Sequence, residues 1–237
     1  MQAIVICHVS NPGITVLLES IKVYAPIIPV YVYCVDIARE ERFKRILPNV
    51  IVRPNTGRNF GDSYNEAISD VFGRVAVDSL IVANDDVVLN PQTIELMAED
   101  RLILRENAQK VGFLGARSDY VLPDQNIRFP VHDDRQEGVY WASEAKIKET
   151  AVIAPIFATI SREAWGKAKF PSTNWYSDNI ICHDLQEAGY RHFVSRAYVH
   201  HAGSQTVGMD YKKCHEEPRE WIKAHRPDMY GVIYGNT

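Results

Sequence analysis

The chain has 237 residues, of which 46% are hydrophobic and 24% are charged, and its formal net charge is −4. This composition is typical of a globular protein long enough to bury a sizeable core. It argues against a collagen-like or low-complexity chain and against a dedicated nucleic-acid binder, which would show a basic surface. Nucleic acid is therefore not indicated as a partner.

The N-terminal segment and the cysteines predict a cytoplasmic protein. Residues 1–13 lack the basic stretch and the small-residue cleavage site of a signal peptide. The longest apolar run, residues 23–35, contains two prolines and is too short to span a bilayer. No CxxC pair occurs, so we expect four reduced and mostly buried thiols: Cys7, Cys34, Cys182 and Cys214.

The first half of the chain alternates short apolar runs with amphipathic stretches. The apolar runs predict buried strands at 3–9, 29–35, 50–53, 80–83 and 111–116. Between them, helical spacing predicts helices from about 12 to 24 and at 38–47, 60–72 and 91–105. Strands that alternate with helices form a parallel sheet covered on both faces, so we expect a doubly wound α/β fold.

The second half is less regular. Residues 117–150 have few apolar residues in series and are predicted to form a long loop, of a length that is often functional. A strand, two helices, a second strand and a short helix are predicted after it, at 152–160, 161–168, 177–188, 192–199 and 218–225. Since no linker or repeat is visible, we expect one domain with a nucleotide-binding half (1–116) and an appended half (117–237).

Ligands of doubly wound sheets bind beyond the carboxyl ends of the strands. The polar residues that follow the predicted strands are therefore candidates for binding. Those after the first three strands are His8, Ser10, Asp36, Arg58 and Asn59. Arg58 offers a planar fork to phosphate oxygens, and the next helix adds N–H donors. The alternatives are an ordinary turn at Arg58 and helix capping by Asp36.

Three further groups carry possible chemistry. The strand at 80–83 ends in Asn84–Asp85–Asp86, and adjacent carboxylates favour a hard divalent cation, although a solvated capping turn is the alternative. His200 and His201 follow the last strand as metal ligands or as ordinary histidines. The remaining group is Asp178, in the first turn of a helix, where it either favours the helix dipole or acts as a general base.

In their chain order these features resemble the GT-A-fold glycosyltransferases of the family-2 type. The segment LIVANDDVVLNPQTIELM resembles that family's strand and acidic DxD-type motif, with Asn-Asp-Asp in place of Asp-x-Asp. The segment FPSTNWYSDNIICHDLQEAGYRHFVSRAYVHHAGSQT resembles its acceptor half and closing histidine motif, with Ser177–Asp178 in place of an acidic pair. The resemblance covers roughly residues 3–207.

The resemblance implies a GT-A-like fold, a nucleotide-sugar donor and inverting transfer that depends on Mn²⁺ or Mg²⁺. Asp86 would hold the metal on the donor diphosphate, together with His200 or His201, and the strand phase favours His200. Asp178 would be the catalytic base. The nucleotide-sugar pocket would be lined by His8, Ser10, Asp36, Arg58, Asn59, Asn84 and Asp85.

The resemblance also implies an acceptor hydroxyl on a saccharide or glycoconjugate. Aromatic candidates for stacking on sugars are Trp141, Trp165, Trp175 and Tyr176, of which Trp175 and Tyr176 adjoin Asp178 and are expected at the acceptor, whereas Trp165 is expected to pack in the core. We expect the loop at 117–150 to order over the donor.

Two other functions use the same residues. A nucleotidyltransferase would use the same metal but attack the α-phosphate, and a non-catalytic module would bind a nucleotide-sugar or carbohydrate without turnover. An aspartate-based phosphohydrolase is disfavoured because its nucleophile normally follows the first strand, where this chain has Val5-Ile6-Cys7-His8 without an acid.

Overall fold

The computed structural model describes residues 2–121, 124–130, 137–139, 146–203 and 211–235. Four parallel strands start the main sheet: β1 (Gln2–His8), β2 (Val30–Cys34), β3 (Ile51–Pro54) and β4 (Ser79–Ala83). The helices between them are α1 (Ile14–Tyr24), α2 (Glu40–Ile46) and α3 (Phe60–Arg74), and a short 3₁₀ turn (Ile37–Arg39) precedes α2.

The rest of the chain extends this sheet. Its central elements are β5 (Val87–Leu89), α4 (Thr93–Glu106) and β6 (Val111–Ser118). Three short strands follow, β7 (Arg128–Pro130), β8 (Glu137–Val139) and β9 (Lys148–Thr150), of which β7 and β8 pair with each other. The last elements are β10 (Phe157–Ser161), α5 (Arg162–Trp165), α6 (Ser177–Glu187), β11 (Arg191–His201), α7 (Tyr211–Glu216), α8 (Arg219–His225) and α9 (Pro227–Tyr234).

The strand order across the main sheet is β3-β2-β1-β4-β10-β6-β11-β5, and β9 pairs with β11. Strand β10 is antiparallel to β4 and to β6, whereas β6 and β11 are parallel. Strands β1, β2, β4, β6 and β11 therefore all end at one edge, which we call the C-terminal edge. This is the edge at which the sequence places the candidate site.

Alternating side chains of the strands fill two cores. Ile4 and Ile6 of β1 face the core that contains α1 and α4, whereas Ala3 and Val5 face the core that contains α3 and α6. Because β2 and β4 are buried along their whole length, they are near-continuously apolar. Each fully buried Leu, Ile or Phe side chain stabilises the fold by about 1.5–3 kcal/mol.

The predicted strands and helices of the first half are confirmed to within two or three residues. The α/β prediction is confirmed as well. The predicted strand at 152–160 is shorter, because only its last four residues and Ser161 pair with neighbours. The sequence did not predict β5, β9, α7 and α9, which are short, or β7 and β8, which lie within the predicted loop at 117–150.

Several other predictions concern side chains and membrane association. Trp165 packs in the second core, as expected. None of the four cysteines forms a disulfide, and Cys7 is half-buried while the other three are buried. No helix in the described part of the chain is long and apolar enough to cross a membrane. Trp141 lies outside the described residues.

Candidate active site

The adjacent acids after β4 point to different neighbours, although both are only 7% exposed. Asp85 faces the connection between β1 and α1, where its Oδ2 lies 2.7 Å from His8 Nδ1 and its Oδ1 accepts a hydrogen bond from Asn11 Nδ2 at 3.2 Å. Asp86 faces β11, and its Oδ1 lies 3.1 Å from His201 Nε2. Asp85 is therefore held by residues of the β1–α1 connection, whereas Asp86 is paired with a histidine of β11.

The protonation of His8 follows from its two partners. Arg39 Nη1 lies 2.8 Å from His8 Nε2 and can only donate, so Nε2 accepts and Nδ1 carries the proton donated to Asp85. Burial is the main cause that raises the pKa of Asp85, and the charge of Asp86 adds to it, while the hydrogen bond from His8 opposes both. Both ring nitrogens of His8 are thus engaged within the protein.

His201 has a fixed orientation beside Asp86. Its Nδ1 lies 2.6 Å from the carbonyl oxygen of Tyr120, which can only accept, so Nδ1 carries a proton and Nε2 faces Asp86. Asn84 Nδ2 approaches the same Nε2 at 3.4 Å. Burial lowers the pKa of His201, but the hydrogen bond and charge of Asp86 outweigh burial and raise it.

The structure places His201, and not the preferred His200, beside Asp86. Strand β5 pairs with β11 so that His201 lies opposite Val87 and His200 opposite Val88. His201 is therefore the histidine nearer to the turn that carries Asp86, and the Asp86 carbonyl oxygen accepts a hydrogen bond from the Ala202 backbone N–H at 3.0 Å. His200 is 54% exposed and its Nδ1 contacts Asp119 Oδ2 at 2.7 Å instead.

Asp119 is a residue of this edge that the sequence analysis missed. Besides contacting His200, its Oδ1 accepts a hydrogen bond from the backbone N–H of His201 at 3.1 Å. These contacts, together with a hydrogen bond within Asp119, outweigh burial and lower the pKa of its carboxyl group. The pattern that singled out Asp36 would have found Asp119 too, because each acid lies just beyond the carboxyl end of a buried strand.

Two of the predicted nucleotide ligands have structural partners. Asp36 caps the 3₁₀ turn by accepting a hydrogen bond from the Ala38 backbone N–H at 3.1 Å, which is the capping alternative. Asn59 caps α3, because its Oδ1 accepts from the Asp62 backbone N–H at 2.9 Å. Its Nδ2 donates to Asp62 and, at 3.0 Å, to Ser172.

Ser10 and Arg58 differ from these two, because both are exposed. Among the described residues, neither side chain has a hydrogen bond or ion pair within the protein. Both stay predicted contacts of the nucleotide-sugar.

Asp178 lies in the first turn of α6. This helix turns back through Gly189, whose φ of +84° suits glycine, into β11, so its first turn points toward the C-terminal edge. The half-buried Asp178 carboxylate accepts a hydrogen bond from the Asn179 backbone N–H at 3.0 Å. Burial raises the pKa of Asp178 to about 6, although backbone hydrogen bonds oppose this.

The loop at 170–176 brings Trp175 and Tyr176 next to Asp178, and both aromatic side chains are half-buried. The loop is held against the start of α3, since the Gly61 backbone N–H donates to the Thr173 carbonyl at 3.2 Å. A Cβ atom on Gly61 would lie 1.8 Å from the Pro171 carbonyl oxygen, so the close approach requires glycine.

Solved glycosyltransferase structures share this fold. The chain aligns with GalNAc-T7, solved with UDP, GalNAc and Mn²⁺, with a TM-score of 0.62 and 12% identity over 100% of this chain and 53% of that chain. It aligns with residues 1–349 of TarS from S. aureus, in complex with UDP-GlcNAc, with a TM-score of 0.57 and 14% identity over 98% of this chain and 71% of that chain.

A longer TarS structure gives a TM-score of 0.59 at 14% identity, and the chain spans only 40% of its length. No protein-family model matches the sequence. No curated protein matches it either. The chain therefore has the GT-A-like α/β fold of these glycosyltransferases, and identities of 12–14% establish the fold alone.

Proposed function

We propose that the protein is a glycosyltransferase that moves a sugar from a nucleoside-diphosphate sugar to an acceptor hydroxyl, with inversion. The observation that carries this proposal is the Asp86–His201 pair, 3.1 Å apart, at the C-terminal edge of a GT-A-like sheet. Asp178 and two aromatic residues on the same side of the fold support it. The acceptor hydroxyl would belong to a saccharide or glycoconjugate, and a cytoplasmic location stays a prediction from the sequence.

The chemistry of the pair fits Mn²⁺ or Mg²⁺. A carboxylate and an imidazole suit Mn²⁺, and a histidine whose Nδ1 donates to a backbone carbonyl presents Nε2 as ligand. The described residues contain no cluster of three or more His, Cys, Asp or Glu that would enclose an ion. Asp86 and His201 would thus hold the ion with donor phosphate oxygens and water, and when bound it would neutralise charge on the leaving diphosphate.

Asp178 would take the proton of the acceptor hydroxyl. As this oxygen forms its bond to the anomeric carbon, the bond from that carbon to the diphosphate oxygen breaks, which inverts the anomeric centre. With a pKa of about 6, the carboxylate is largely ionised at pH 7 yet basic enough to accept the proton. Trp175 and Tyr176 would orient the acceptor sugar.

The predicted donor residues divide into two groups under this proposal. Ser10, Asp36, Arg58 and Asn84 would contact the nucleotide-sugar, and Arg58 offers its guanidinium to phosphate oxygens. His8, Asp85 and Asn59 would act indirectly, because both polar atoms of each side chain are already hydrogen-bonded within the protein. The donor pocket would thus be positioned by buried polar contacts.

The test is release of nucleoside diphosphate from a panel of nucleotide-sugars, with Mn²⁺ or with EDTA. We expect slow release from one donor in Mn²⁺ and none in EDTA. Asp86→Asn should lose this release, whereas Glu19→Gln, which changes an exposed carboxylate on α1 that pairs with Lys22, should retain it. Release that is equal in Mn²⁺ and EDTA would contradict the metal assignment.

Two outcomes would favour the other candidate functions. Pyrophosphate as the product would indicate a nucleotidyltransferase. Donor binding without turnover in the presence of candidate acceptors, unchanged by Asp178→Asn, would indicate a binding module.

A further inference from the structure

Tyr176, immediately before α6, has a backbone conformation that L-residues rarely adopt. Its φ of +59° and ψ of 10° lie in the left-handed region, and it is the N-cap of the helix that carries Asp178. Its carbonyl oxygen accepts a hydrogen bond from the Ile180 backbone N–H at 3.1 Å. The left-handed turn therefore sets the first turn of α6 and with it the Asp178 carboxylate.

A non-glycine residue keeps such a conformation only when its surroundings impose it. Two hydrogen bonds from side-chain hydroxyls to backbone carbonyls restrain the residues around Tyr176. Ser177 Oγ donates to the Thr173 carbonyl at 2.7 Å, and Thr173 Oγ1 donates to the Trp175 carbonyl at 2.9 Å. The Tyr176 side chain provides a further restraint, because its Oη lies 2.6 Å from His215 Nδ1.

His215 belongs to the C-terminal arm, which we define as α7, α8 and α9 (residues 211–235). The Tyr234 hydroxyl donates to the His215 carbonyl at 2.8 Å, and the ring centroids of His215 and Tyr234 lie 4.7 Å apart. Tyr176 therefore contacts a histidine of α7 that Tyr234 of α9 holds in place.

The arm is also attached to α6 at other points. Arg226 donates two hydrogen bonds to the Asp184 carboxylate, at 2.7 and 2.9 Å. The Ile180 side chain is buried with Ile222 and Met229 of the arm. Because the arm is attached along α6, its position is transmitted to the Tyr176 turn through His215.

We propose that His215 is a positioning residue for Asp178, which it serves by holding Tyr176 in the left-handed turn. No contact joins His215 directly to Asp178 among the described residues, so it acts through Tyr176. The proposal rests on the proposed function only in giving Asp178 a catalytic role. The coupling itself is a property of the folded chain and is testable without substrate.

The test measures ionisation of Asp178 by NMR titration of its ¹³C-labelled carboxyl group. The groups that interact electrostatically with it are Tyr176 and Cys182, and Tyr176 in turn faces Cys214 and Glu216 of the arm. We expect His215→Phe, which retains a ring but not the hydrogen bond, to relax the turn and admit water. The Asp178 pKa should then fall from about 6 toward its ordinary range near 4.

Tyr176→Phe removes the same hydrogen bond from its other end and should lower the Asp178 pKa by a similar amount. The double variant should then add little, because both changes remove one interaction. His225→Phe is the matched control, since His225 stacks on Trp221 of the same arm and contacts no residue of the 170–176 loop among the described residues. It should leave the Asp178 pKa unchanged.

An unchanged Asp178 pKa in both folded His215→Phe and Tyr176→Phe would overturn the proposal. So would an equal shift in His225→Phe, because the effect would then come from general loosening of the arm. The proposed function fails separately, by an absence of nucleoside diphosphate release and binding. If an acceptor is found, His215→Phe should lower kcat for transfer without weakening nucleoside diphosphate binding.

Discussion

At the residue scale, the role proposed for Asp178 depends on the surroundings of its carboxyl group and not on residue type alone. The sequence offers many acids after strands and in first helical turns, and it does not show that burial raises the pKa of this one to about 6. That burial disfavours the charged form that the proposed reaction requires. Asp178 should therefore lower the stability of the folded protein at the pH at which it acts as a base.

Asp178→Asn tests this opposition between stability and activity. The Asp178 pKa is higher in the folded protein than in the unfolded chain, so the folded protein holds this proton more tightly. The resulting stability is present below pH 4 and is lost as the pH rises through about 6. We expect the variant to be more stable than the parent by about 1–3 kcal/mol at pH 8, with little difference below pH 4. Urea unfolding at both pH values measures this.

The same substitution should reduce acceptor transfer by about 10²–10⁴-fold, a range typical of losing a general base. Nucleoside diphosphate binding should be retained. In the parent, transfer should decline as the pH falls through about 6, because protonation removes the base. A variant that is both less stable at pH 8 and fully active would contradict the assignment.

The pair Asp85 and Asp86 provides a second contrast between neighbouring residues. Asp85→Ala leaves buried His8 and Asn11 without their acceptor and should cost about 2–4 kcal/mol in urea unfolding. Asp86→Ala should cost less, about 1–2 kcal/mol, because the His201 pKa falls when the Asp86 charge is removed and the neutral ring can accept a hydrogen bond from Asn84 Nδ2 at Nε2. It should nevertheless lose the Mn²⁺ effect on donor release. If Asp86→Ala destabilises the protein more than Asp85→Ala does, Asp86 is the structural residue of the two, and the assignment is contradicted.

At the scale of elements, the sequence predicts the strands and helices whose apolar residues form a clear run or recur at helical spacing. Strands β1, β2 and β4 and helices α1, α3 and α4 follow from apolar runs and helical spacing, and residues after these strands do lie at one edge. The sequence did not predict β5, because three residues carry no periodicity. Without β5, the strand phase favoured His200, whereas the pairing of β5 with β11 places His201 nearer to the turn that carries Asp86.

The sequence also did not predict side-chain contacts between distant parts of the chain. Asn11 directly precedes the helix predicted from about residue 12, yet it is buried and donates to Asp85, 74 residues away. Arg39 lies on a charged surface stretch and reaches His8. Such partners depend on side-chain direction after the sheet has formed, which spacing along one segment does not contain.

Two glycines of α3 test the contact between this helix and the 170–176 loop. Gly61→Ala places a Cβ atom 1.8 Å from the Pro171 carbonyl oxygen, so the loop must move and stability should fall by about 1–3 kcal/mol. Gly73→Ala is the matched control, because nothing lies within 4 Å of its Cβ position. It should stabilise the helix by about 0.5–1 kcal/mol.

Thermal unfolding of both variants measures the contrast. If Gly61→Ala is as stable as Gly73→Ala, the loop is not held against α3 as described. If the contact is as described, Gly61→Ala should also weaken acceptor use more than donor binding, because the displaced loop carries Trp175 and Tyr176.

At the scale of the whole molecule, the proposed function places both substrates at the C-terminal edge of one sheet. Under that proposal the donor side combines Asp86, His201 and Arg58, and the acceptor side combines Asp178 with Trp175 and Tyr176. The similarity to solved glycosyltransferases concerns the fold alone. The central claim is that the edge binds a nucleoside diphosphate through a divalent cation.

Calorimetric titration with UDP, GDP, CDP and dTDP, each in Mn²⁺ and in EDTA, tests that claim most directly. We expect one nucleotide to bind in Mn²⁺, to bind at least about tenfold more weakly in EDTA or to Asp86→Asn, and to bind Glu19→Gln normally; tenfold corresponds to about 1.4 kcal/mol. At a hundredfold excess over its Kd, this ligand should stabilise the fold by about 2.7 kcal/mol. Absence of binding by all four nucleotides in Mn²⁺ would contradict the account.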